Sequence, residues 1–109
     1  MESLHQFLNE QAAACKDRAA ALTADGRRDE AVFEKIRGNV FEIFSAVLNT
    51  AKNQPEPMVF FRRQLDAIPA NWEATLVKAK AHGDEAKAHT ELLKLDAVRA
   101  IREHMEVDA

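Results

Sequence analysis

Ala19-Ala20-Ala21-Leu22-Thr23-Ala24-Asp25-Gly26-Arg27-Arg28-Asp29-Glu30-Ala31 carries alanine-rich helical sequence into a glycine and out again within a few residues. The same punctuation returns at Ala79-Lys80-Ala81-His82-Gly83-Asp84-Glu85-Ala86. Glycine accepts the left-handed backbone that ends a helix, and an aspartate beyond it can cap the next one. The stretches Ala19 to Ile36 and Ala74 to Leu93 are therefore each expected to form two antiparallel helices joined by a tight turn.

Outward from these turns the apolar residues keep helical phase. Leu4, Phe7, Leu8, Ala12, Cys15, Ala19 and Leu22 recur at steps of three and four and place a first helix from a Ser3 cap to Asp25. Its small residues, Ala12 to Ala14 and Ala19 to Ala21, would let a neighbouring backbone come close. A second helix is expected from Arg27–Asp29 to about Asn53 on the phase of Val32, Ile36, Val40, Ile43 and Val47. Phe33, Phe41, Phe44 and Leu48 widen its apolar arc beyond what one partner helix covers, so it is central or faces another subunit. The phase continues across Gly38, which reads as a glycine kept at a close crossing. Pro55 and Pro57 mark a linker, with Pro57 opening a short third helix to about Ala67. Pro69 separates it from a fourth helix, from about Asn71 to His82, and a fifth runs from the Asp84 cap to about Glu106.

Composition supports long helices. Glycine and proline number three each among 109 residues, tyrosine is absent, 47% of the residues are hydrophobic and 30% are charged. Such a chain reads as one helical domain over residues 1–109, large enough to bury a core without staples. The net charge is −3, which gives no basic surface for phosphates, so nucleic-acid binding is not expected. The single Cys15 reads as a small buried residue in an alanine-rich stretch. Glu2-Ser3-Leu4-His5 offers no signal peptide, and apolar runs such as Met58 to Phe61 fall far below the roughly 20 residues of a membrane span. A cytoplasmic location with no membrane contact is expected.

Ala20-Ala21-Leu22 leading to Gly26 and then to Glu30-Ala31 and Phe33 resembles the turn and second-helix start of the tetratricopeptide-like helical-hairpin repeats. Ala79-Lys80-Ala81 leading to Gly83 and Glu85-Ala86 is similar. The resemblance covers about two fifths of the chain, and the Trp-Leu-Gly-Tyr arrangement of those repeats is missing. It implies stacked helical hairpins and the binding of a protein or peptide in a groove.

Candidate chemistry gathers at His82, Asp84, Glu85 and His89. An imidazole beside a carboxylate can hold a divalent metal or act as a general base. Neither His-Glu-x-x-His nor Glu-x-x-His occurs among these residues, however, and acidic residues at a helix start with a histidine at a helix end are accounted for by the helix dipole. His89 and His104 lie on or beside an apolar stripe, where a seam histidine would make association depend on pH. Arg27-Arg28 and Arg62-Arg63 could grip nucleic acid only if they converged. No glycine-rich phosphate loop, nucleophile elbow or cysteine pair occurs, so no enzymatic activity and no cofactor are expected.

The expected fold is all-α, with about five helices: two long antiparallel helical hairpins bridged by a short helix. The expected function is a non-catalytic helical module acting by protein–protein association, as a homodimer or with a protein partner. The surplus apolar residues Phe33, Phe41, Phe44, Leu48, Leu92, Leu95 and Val98 would form its contact surface. A ligand- or metal-binding bundle near Trp72, His82 and His89 is the alternative, followed by a DNA-associated regulator.

Overall fold

The structure, a computed structural model, describes residues 1–107. Four helices follow one another, α1 (Glu2–Ala24), α2 (Arg28–Ala51), α3 (Pro57–Ala81) and α4 (Glu85–Val107), and no strand occurs among the described residues.

Both glycine turns are built alike. The Gly26 N–H reaches the Thr23 carbonyl and the Arg27 N–H the Leu22 carbonyl at 2.8 Å, while the Gly83 N–H reaches Lys80 and the Asp84 N–H reaches Ala79 at 2.9 Å. These paired bonds form a Schellman motif, which needs a left-handed residue at its centre. Gly26 at φ 77° and Gly83 at φ 70° supply it.

The caps differ. Asp84 Oδ1 accepts the Lys87 N–H at 3.1 Å, an N-cap bond. At the first turn Arg27 occupies the cap position and Asp29 lies inside the first turn of α2, where its charge complements the dipole without capping. Nor does Ser3 cap α1. Met1 holds that position, and the Ser3 hydroxyl is hydrogen-bonded to His104 Nε2 at 3.2 Å.

The expected third and fourth helices are one. Pro69 lies inside α3, among the residues most completely buried. Proline has no N–H, so the carbonyl four residues back, that of Leu65, loses its helical donor. Arg102 of α4 replaces it: its Nη2 donates to the Leu65 carbonyl at 2.9 Å, and its Nη1 lies 3.0 Å from Asp66 Oδ1. A cost that would normally end a helix is thus offset by a guanidinium from the neighbouring one. The bridging helix of the expected architecture is the first half of α3.

α2 and α4 are the middle pair, each packing on all three other helices, whereas α1 and α3 do not touch. α2 is therefore central. With α1 and α3 at the margins the molecule is flattened, 44 × 35 × 23 Å. Its radius of gyration is 15.0 Å, against about 13 Å for a compact chain of this length.

The large core residues collect toward the end that holds the 52–56 connection. There Leu8, Phe44, Leu48, Phe61, Leu65 and Ile101 are fully enclosed. Aromatic contacts tie all four helices together. Phe44 meets Phe61 edge-on at 6.1 Å, Phe7 meets Phe41 at 6.2 Å, and Phe7 stacks on His104 at 4.2 Å. Toward the glycine turns the buried residues of α1, α2 and α3 are the small Ala19, Ala31 and Ala79.

If Arg102 answers the proline, the two are coupled. Arg102→Met should cost about 1–2 kcal/mol in the native chain and clearly less in a Pro69→Ala background, where residue 69 regains its N–H. Urea titrations of the four proteins measure this double-mutant cycle. Additive losses would show that Arg102 stabilises the hairpin in some other way.

Candidate association surface

α1 and α2 cross where Gly38 lies against Cys15. A Cβ built at Gly38 would sit 3.0 Å from the Cys15 Cβ, closer than side-chain carbons normally come, so any larger residue would have to push the two helices apart. On either side of the crossing the seam is closed by polar pairs. Arg18 Nε donates to Glu34 Oε2 at 3.2 Å, and the Ser45 hydroxyl donates to Asn9 Oδ1 at 3.2 Å. Cys15 is buried, as its alanine-rich setting implied. Burial pushes its thiol up; the Arg18 guanidinium, 3.4 Å away, pulls it partly back. This is a packing thiol, not a nucleophile.

Beside the crossing the two helices leave an open groove of about 850 Å3. From α1 it is walled by Ala12, Lys16, Ala19 and Ala20, and from α2 by Val32, Lys35, Ile36, Asn39 and Glu42. Val32 is 49% exposed. Its position in phase with Val40 pointed inward, but the face it occupies is turned away from both α3 and α4.

The residues expected to form the contact surface divide. Phe41, Phe44, Leu48 and Val98 are in the chain's own core, each at most 4% exposed. One antiparallel neighbour could not cover the wide arc of α2, but the structure supplies α2 with three. Phe33 is half-buried and meets His89 edge-on at 4.6 Å. Leu95 is half-buried, and Leu92 is exposed at 46%. Outside these seven, the first hairpin exposes Val32 beside its groove, and the second exposes Val59 and Val77 of α3.

Trp72, His82 and His89 are not assembled into a pocket. His82 ends α3 in an exposed position ten residues beyond Trp72, about 15 Å along the helix. Among the described residues no three His, Cys, Asp or Glu side chains converge as metal ligands would. His104 faces Ser3 and Phe7 of the same chain, so its seam is internal. Arg27 and Arg28 lie at the glycine-turn end, while Arg62 and Arg63 lie near the start of α3 at the opposite end.

One residue escaped the sequence reading. Glu91 looks like part of the charged outer face of α4, yet it is 3% exposed. Lys94 Nζ donates to its Oε1 at 3.3 Å, and the same ammonium lies 5.5 Å from the centre of the Trp72 ring. Glu91 Oε2 is buried with no partner. Its phase three residues before Lys94 and seven before Val98 was the available signal, hidden by the usual assignment of glutamate to solvent.

No protein family, curated protein or solved structure matches the chain.

Two substitutions test this geometry. Gly38→Val should lower stability by about 2 kcal/mol through overpacking against Cys15, and a denaturation midpoint equal to that of the native protein would mean that the helices are farther apart. Glu91→Leu should raise stability by about 1 kcal/mol, because it removes a buried acceptor that lacks a donor. A loss of that size would reveal a partner for Oε2.

Proposed function

We infer that the chain is a non-catalytic helical module that works by association, with a second copy of itself as the first partner. The supporting observation is the groove of the first hairpin. It is apolar at Val32, Ile36 and the α1 alanines, it is open to solvent, and among the described residues only α1 and α2 line it. Apolar surface grouped in this way on a small protein usually marks a contact site. The likeness of the glycine turns to helical-hairpin repeats points toward binding by helix faces as well.

Two other readings have less support. A ligand or metal site near Trp72, His82 and His89 would have to form from side chains spread along two helices, with the buried Glu91 carboxylate as its most distinctive group. A DNA-associated role would need Arg27, Arg28, Arg62 and Arg63 to act from opposite ends of the molecule.

A standard interface buries roughly 800 Å2 per partner across a largely apolar centre, whereas this face offers few large apolar side chains, so a reversible dimer with a micromolar dissociation constant is expected. Sedimentation equilibrium should show the mass rising with concentration from 12.2 kDa toward twice that value. A single 12.2 kDa species at every concentration would remove self-association.

A further inference from the structure

We propose that the second copy docks with its α2 antiparallel to the first, on a two-fold axis that passes beside Asn39. This rests on the self-association reading and specifies its geometry. Val32, Lys35, Asn39, Glu42 and Ala46 follow one another on α2 at steps of three and four, and all five are exposed. That spacing is the seam of a helix pair wound at 3.5 residues per turn. The seam is also close to symmetric about its middle. Val32 and Ala46 stand seven residues on either side of Asn39, with Lys35 and Glu42 inside them.

An antiparallel pair centred there brings Lys35 of one copy to Glu42 of the partner subunit and repeats the contact on the other side of the axis. Opposite charges meet twice and like charges nowhere along the seam. In a parallel pair Lys35 would face Lys35 and Glu42 would face Glu42. Neither side chain has an ion-pair partner among the described residues, so both are free for this use. Asn39 lies at the axis, where its amide can donate to and accept from the same group of the other copy. A single polar residue in such a seam fixes register and orientation at some cost in affinity.

The flank of α1 leaves room for this approach. Ala12, Ala19 and Ala20 border the groove, and Gly38, at its floor, draws α1 tight against α2. Val32 of each copy then lies over the Ala46 turn of the other. The interface is isologous and closes at two subunits.

Charge exchange tests the arrangement, because each single reversal changes both symmetric pairs. K35E and E42K should each raise the dissociation constant about tenfold, and K35E/E42K should return it to near the native value with the signs exchanged. Circular dichroism checks that each variant is folded. As a second readout, N39C should oxidise to a disulfide-linked dimer, since the axis brings position 39 of one copy next to position 39 of the other; the buried Cys15 does not interfere. A native dimer that neither single reversal weakens and N39C does not crosslink overturns this geometry and leaves self-association standing. A native chain that is monomeric throughout overturns both.

Discussion

Pro69 removes one hydrogen bond from the middle of α3, and Arg102 returns it from α4. Much of the molecule's shape depends on that exchange. With the Leu65 carbonyl satisfied at 2.9 Å, α3 runs unbroken from Pro57 to Ala81 and lies along α4. Broken at Pro69, its second half could turn and cover another part of the chain. As one helix it stays at the margin, does not meet α1, and leaves the outer face of the first hairpin bare. A local repair of backbone chemistry thus decides which apolar surface the fold can hide.

The second constraint is the close contact of Gly38 with Cys15. It holds α1 against one side of α2, so that α2 can give its opposite sides to α3 and α4. Three neighbours then use the broad apolar arc of Phe41, Phe44 and Leu48, and the core gathers at the end away from the glycine turns. What the first hairpin leaves exposed, nearer its glycine turn, is a shallow wall of alanines beside Val32 and Ile36. Such a wall suits a helix of matching charge better than a small molecule, which needs a more enclosed pocket.

Much of this was legible in the residues. Both glycine turns, the helical phase of α1 and α2, the tolerated Gly38 and the buried Cys15 follow from periodicity and from what glycine and cysteine do. The unbroken α3 was not legible, because its repair comes from Arg102, 37 residues beyond the carbonyl it serves. Local rules see the proline and not the distant donor. The burial of Glu91 was hidden for a similar reason: its environment is made by packing that charge statistics do not record. The burial of Phe41, Phe44, Leu48 and Val98 was not legible because the number of neighbours around α2 is a property of the assembled fold. Phe41 and Phe44 on a lone hairpin would be exposed; between three helices they are core.

A continuous α3 at the margin leaves the first hairpin's outer face exposed, and the proposed dimer is what would cover it. Amide hydrogen exchange resolved by residue, at low and at high protein concentration, tests it most directly. The account predicts protection that continues across Pro69 from Leu65 to Trp72 at both concentrations, with extra protection at high concentration confined to α2 from Val32 to Ala46 and the facing turns of α1. A gap in protection around Pro69, or a concentration effect on α3 and α4 instead, would contradict it.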